Sequence, residues 1–249
     1  MSGHSKWANI KHKKGKADAV RGKIFTKIGR EIAIAVREGG GDPAVNSKLH
    51  DVIAKAKANN MPGDNIARSI KKAAGELGTV NYEEIIYEGY APGGVAVIVE
   101  IVTDNRNRTA SDVRHIFDKC GGSLGTTNSV GYMFDRKGML VIERKPGMTE
   151  DDMMLMAMDA GADDIESSDD TFEITTDPAD FSAVRTELEK QNMPFLSAEL
   201  TRVPQNWIDV DNQETVDSVR KLIEMLEDMD DVMNVYHNAA LPEEPDEED

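Results

Sequence analysis

Apolar residues recur at four-residue spacing through Ala17–Glu38, where Val20, Ile24, Ile28, Ile32 and Val36 form one stripe. Lys23, Lys27, Arg30 and Arg37 fall largely outside it, which predicts an amphipathic helix. Gly39-Gly40-Gly41 ends that helix, because glycine readily takes the left-handed conformation found after helix ends. Asp42-Pro43 is expected to cap and open a second helix, with Val45, Leu49, Val52, Ile53 and Ala56 on one face. Asn59-Asn60-Met61-Pro62 interrupts it, and Asp64 is expected to cap a third helix that carries Ile66, Ile70 and Ala73/Ala74 and closes at Gly75. Three such helices with short joints predict a small helical domain. The first dozen or so residues lack any stripe and read as an arm that orders on binding.

From Tyr82 the period changes. Glu84–Glu88 and Val95–Thr103 are rich in β-branched residues and flank Gly89-Tyr90-Ala91-Pro92-Gly93-Gly94, a strand–loop–strand signal. Thr109–Lys119 follows as a helix with Val113, Ile116 and Phe117 inward, then a loop, Gly121-Gly122-Ser123-Leu124-Gly125, and a strand, Ser129–Phe134. Next, strands at Met139–Glu143, Asp164–Ser167, Thr171–Thr175 and Ser197–Val203 alternate with helices at Glu150–Ala160 and Pro178–Gln191. That order, βαββαβ, is ferredoxin-like. The last elements, Glu214–Leu226 and Val232–His237, have no strand partner nearby in sequence, so the simplest arrangement returns them to the earlier sheet. The predicted fold class is α+β: an N-terminal three-helix domain followed by two α+β domains, one ferredoxin-like and inserted in the other. The boundaries read as 1–78 for the helical domain, 79–135 plus 205–241 for the split domain and 136–204 for the insert, with an acidic tail at 242–249.

Charge gives this division a meaning. Residues 1–78 hold 16 basic and 7 acidic side chains, and residues 79–249 hold 13 and 39, in a chain of formal net charge −17. A basic end attracts polyanions while an acidic body repels them. The nucleic-acid-binding candidates are Lys6, Trp7, Lys11, His12, Lys13, Lys14, Lys16, Arg21, Lys23, Lys27 and Arg30. Near-alternate lysines track a phosphate backbone, and Trp7 offers a face for stacking on an unpaired base. A solvated charge run without a partner is the plainer reading, and the cluster's opposition to its own protein's net charge argues against it. Phosphate contacts carry no sequence information, so duplex DNA and ribosomal RNA both stay open.

Other features point to structure more than to chemistry. In Asp104-Asn105-Arg106-Asn107-Arg108-Thr109, the residues Arg106 and Arg108, with Arg114 beyond, are candidates for a second phosphate contact near a helix N-terminus. The alternative is a polar turn in which Asp104, Asn105 or Thr109 caps the helix and the arginines sit in solvent or pair with acids. Gly121–Gly125 has neither Walker nor GxGxxG spacing and reads as a helix end. The histidines at 4, 12, 50, 115 and 237 have no metal-ligand spacing, and no nucleophile–base constellation is visible. No catalytic residue, metal, cofactor or small-molecule substrate is expected, and the chain is read as not an enzyme. Met153, Met154, Met156 and Met158 crowd one helix. Core filling is the simple account, and a soft partner groove the other. One cysteine, Cys120, fits a reducing compartment, and no apolar run approaches the roughly 20 residues of a membrane span. The expected location is cytoplasmic.

Several segments together resemble the YebC/PmpR family across nearly the whole chain. They are Gly3-His4-Ser5-Lys6-Trp7-Ala8-Asn9, Arg21-Gly22-Lys23-Ile24-Phe25, Gly40-Gly41-Asp42-Pro43, Ile86-Tyr87-Glu88-Gly89-Tyr90 with Pro92-Gly93-Gly94, Asp104–Thr109, Gly121–Gly125 and Leu226–Val232. The resemblance implies three domains, with a ferredoxin-like one inserted in another α+β domain. It implies a DNA-binding transcriptional regulator, as bacterial members are described. It also implies an alternative, a ribosome-associated translation factor that contacts ribosomal RNA and relieves stalling at proline-rich stretches. Mitochondrial relatives act as translational activators for cytochrome oxidase. The family carries no established catalytic residues.

Overall fold

A computed structural model of the chain describes residues 18–75 and 81–242, with side chains described from residue 21. It contains two compact units, one formed by residues 81–135 and 203–242 and the other by 18–75 and 136–202. The fold is α+β: a helical region followed by two sheet-containing domains, the second of them ferredoxin-like and set within the chain of the first.

The helical region has three helices, α1 (Asp18–Gly39), α2 (Ser47–Ala58) and α3 (Gly63–Gly75). Ile28, Ile32, Ala35 and Val36 of α1 meet Leu49, Val52 and Ala56 of α2 and Ile66 of α3 in one core. Gly40 leaves α1 at φ 82°, the left-handed conformation that favours glycine. The second helix does not open at Asp42-Pro43. Those residues make a turn in which Asp42 Oδ1 accepts from the Ala44 N–H, and Val45 is 79% exposed. The cap is Asn46, whose Oδ1 accepts from the Leu49 N–H at 3.0 Å. Its amide nitrogen donates to the Ala35 and Gly40 carbonyls, both at 2.8 Å, so one buried side chain ties the end of α1 to the start of α2. Asp64 lies in the first turn of α3, where its charge suits the helix dipole, one residue inside the expected cap.

The first sheet has the order β3-β1-β2-β9, from β1 (Glu83–Tyr90), β2 (Ala96–Thr103), β3 (Ser123–Leu124) and β9 (Val232–His237). Strand β2 is apolar at almost every position because both faces are covered. Val97, Val99 and Ile101 join the core with α4 (Arg106–Lys119) and α7 (Gln213–Glu227). Ala96 and Ile98 pack on the other side with Val130 and Phe134. A short parallel pair, β8 (Ile208–Asp209) with β10 (Ala239–Ala240), completes this unit.

Ser129–Phe134 is not a strand. Its chain curls around the buried carboxylate of Glu88, which accepts from the N–H groups of Asn128 (2.9 Å), Val130 (2.8 Å) and Gly131 (2.7 Å). The strand starts only at Phe134. The glycine loop has an equally local reason: a Cβ on Gly122 would lie 2.6 Å from the Tyr90 carbonyl, and one on Gly89 2.6 Å from that of Ser123. These glycines let β3 approach β1.

The ferredoxin-like domain has sheet order β5-β6-β4-β7, built from β4 (Phe134–Glu143), β5 (Asp164–Ser167), β6 (Thr171–Thr176) and β7 (Phe195–Pro204). Helices α5 (Glu150–Asp159) and α6 (Phe181–Lys190) cover it through Met153, Ala157, Phe181, Val184 and Leu188. Arg185 of α6 is fully buried. Its Nη1 lies 2.7 Å from Asp51 Oδ1 of α2 and its Nε 3.3 Å from Glu189, yet neither contact is aligned as a hydrogen bond. Arg185 Nη2 meets His50 Nδ1, and because a guanidinium has no acceptor the imidazole must accept. Ser182 donates to Asp51 Oδ2 at 2.8 Å. Burial nevertheless holds the Asp51 carboxyl above its ordinary 3.8, outweighing the pull of Arg185.

Candidate nucleic-acid interface

Residues 21–75 contain eleven basic and five acidic side chains, so the described part of the helical region is itself cationic. On α1, Arg21 and Lys23 are exposed while Lys27 and Arg30 are half-buried, and each has a polar or charged partner. Lys6, Trp7, Lys11, His12, Lys13, Lys14 and Lys16 lie outside the described residues.

Helix α3 adds cations that sequence motifs did not single out. Ile66, Ile70 and Ala73 face the core, and at 100° per residue Arg68, Lys71 and Lys72 fall on the opposite side, all three exposed. The signal was present in the same periodicity that located the core. Between α1, about two turns in, and the first two turns of α3 lies an open hollow of about 270 Å³, lined by Phe25, Thr26, Met61, Asn65, Arg68 and Ser69. An aromatic edge, amide and hydroxyl groups and one guanidinium suit a nucleotide's mixture of flat ring, polar edge and phosphate. On α2, Lys48 and Lys55 pair with Glu38 and Glu31 of α1, at 3.0 and 2.7 Å.

The three arginines of α4 are placed differently from one another. The helix begins at Arg106, three residues earlier than its sequence pattern suggested, capped by Asn105 Oδ1 accepting from the Arg108 N–H. Arg108 Nη2 lies 3.0 Å from Asp104 and 2.9 Å from Asp231. Hydrogen bonding to Asp231 and its charge, and then hydrogen bonding to Asp104, hold the guanidinium's pKa above the ordinary arginine value. Asp231 also accepts from the buried hydroxyls of Thr103 (3.1 Å) and Thr109 (2.8 Å). The motif Asp104–Thr109 and the C-terminal Asp231 thus form one structural lock, and Arg108 is committed to it. Arg106 and Arg114 are exposed.

Among the described residues no group of three or more His, Cys, Asp or Glu side chains is placed to hold a metal ion. No helix among them is long and apolar enough to cross a membrane.

Residues 5–76 match the family model of the TACO1/YebC protein N-terminal domain, and residues 82–239 that of the TACO1/YebC second and third domain. A probable transcriptional regulatory protein of Acetivibrio thermocellus is 62% identical over 238 residues, covering 96% of this chain and 98% of that protein. One of the same description from Ruminiclostridium cellulolyticum is 61% identical over 248 residues, covering 100% of both. The crystal structure of a conserved hypothetical protein from Aquifex aeolicus superposes with TM-score 0.86 at 46% identity, covering 98% of this chain and 100% of that one. On these matches, which together span nearly the whole chain, the chain belongs to the TACO1/YebC family.

Proposed function

We propose that this protein is a cytoplasmic regulator of gene expression that binds duplex DNA through its basic helical domain, residues 1–78, the acidic domains adding at most a local contact. The observation that carries the reading is the opposition of charge. A cationic helical region with an outward face of Arg68, Lys71 and Lys72 belongs to a chain of net charge −17. The relatives described as probable transcriptional regulatory proteins support it. The N-terminal lysines and Trp7 are assigned to the backbone and to any unpaired base, and Arg106 and Arg114 to a second phosphate contact.

The test is fluorescence anisotropy of the full chain with labelled duplex DNA over a salt series, with a ribosomal RNA fragment as competitor. Log affinity should fall with log salt by about 0.9 for each phosphate neutralised. Replacing Arg68, Lys71 and Lys72 by Gln should lower that slope by up to about 2.7, and replacing Lys11, Lys13, Lys14 and Lys16 should lower it further. Unchanged affinity and slope in both variants would refute the interface. Displacement by the RNA at far lower concentration than by DNA would move the protein to the translation reading instead.

A further inference from the structure

Helix α5 is apolar on two sides. Met153 and Ala157 face the core, but Met154, Leu155 and Met158 remain 45%, 65% and 52% exposed. Beside them is an open groove of about 510 Å³ whose apolar lining includes Met148, Leu155, Met156 and Met193 and whose charged lining is Asp152 and Asp159 alone. These two aspartates are seven residues apart, a spacing of about 10.5 Å along one side of the helix. Every charged side chain on α5 is acidic: Glu150, Asp151, Asp152 and Asp159.

We propose that α5 and this groove form a docking surface for a Lys/Arg-rich amphipathic helix of a partner protein. This surface is separate from the basic helical region and its proposed role with nucleic acid. Unbranched methionines adapt to varied apolar shapes, and a groove lined by apolar side chains and two carboxylates complements a helix with one apolar and one basic face. The charge pattern selects among occupants. Nucleic acid and anionic membranes are repelled by the aspartates. A second copy docked two-fold on the same face would set its own acids against these, with no cation on α5 to offset them. A basic helix meets both requirements.

The probe is a fluorescein-labelled 14-residue peptide, two repeats of Leu-Lys-Lys-Leu-Leu-Lys-Leu, with a control carrying Glu at each Lys position. The full chain is compared with L155Q/M158Q and D152N/D159N, all four positions being exposed enough for the fold to tolerate the change, which far-UV circular dichroism checks. The expected result is at least tenfold weaker binding by L155Q/M158Q and a flatter salt dependence for D152N/D159N. The control peptide should not bind, and the basic peptide should protect Met154 and Met158 from peroxide oxidation. Equal affinity in the wild type and L155Q/M158Q would overturn the proposal, since the peptide would then be reading only the chain's overall charge. Concentration-dependent dimerisation abolished by L155Q/M158Q would overturn it in favour of a second copy.

Discussion

Around Arg185 the charges do not balance, and this sets an order of mutational effects. One guanidinium, 0% exposed, faces two carboxylates, Asp51 (23% exposed) and Glu189 (38% exposed). Replacing Arg185 with Met leaves both acids without a cation. Breaking a buried pair by removing one partner costs about 3–5 kcal/mol, and because both carboxylates keep some contact with water the lower end, about 3, is expected. Replacing Asp51 with Asn leaves Arg185 against Glu189, one charge of each sign, and the new side chain still accepts from Ser182. Burial raises the Asp51 carboxyl above 3.8, so its charge is held at a cost in the folded state, and D51N is expected to be less damaging than R185M at pH 7. The double variant D51N/R185M should be more stable than R185M alone.

The pH dependence follows from the same shift. A carboxyl whose folded pKa is raised favours folding below the unfolded value, 3.8 here, and loses that contribution as pH rises through the folded value. Wild type should therefore gain stability relative to D51N as the solution is acidified toward pH 3.8. Urea unfolding followed by far-UV circular dichroism at neutral and acid pH measures all of this. Should D51N prove more damaging than R185M at pH 7, the charge count would be the wrong account of the cluster.

The other expectations concern single buried groups. N46A removes the cap of α2 and the two bonds to the end of α1, and should cost about 2 kcal/mol in the same urea assay. E88A strips three backbone N–H groups of their acceptor and should cost about 3 kcal/mol or more, with faster hydrogen exchange at 128–131, while E88Q keeps an acceptor and costs less. D231A leaves the Thr103 and Thr109 hydroxyls without that carboxylate and should lower stability by about 2 kcal/mol. R106Q/R114Q should leave the unfolding midpoint alone and flatten the salt dependence of DNA binding. An unchanged slope there would remove α4 from the interface.

Periodicity made the helices legible because each has one buried stripe, and the βαββαβ block was legible because its strands and helices alternate cleanly. The misread places share a cause: the local signal was real but a side chain outside the segment overrode it. Ser129–Phe134 has strand-like residues, yet Glu88, some forty positions earlier, gathers its N–H groups. Asp42-Pro43 has the composition of a helix start, but Asn46 has the geometry to cap α2 and bind the end of α1 at once. At the interface, the cationic face of α3 was present in the sequence and overshadowed by the denser charge of the first thirty residues. Arg108 could not be told from Arg106 and Arg114 by sequence, since its partner Asp231 stands 123 positions away.

The pairing of β2 with β9 also sets a timetable for biosynthesis. Val97 pairs with His237, so about 140 residues must leave the ribosome before β2 has its neighbour. At roughly 5–20 residues per second that is a wait of about 7–28 seconds. The inserted domain, whose four strands and two helices are contiguous, has all its own parts well before then. Meanwhile a very apolar strand keeps one edge unpaired, the condition under which nascent chains stick to one another. A slow stretch of codons just before Val232 would lengthen that exposure without altering a single contact of the finished protein, whereas a truncation there would make it permanent.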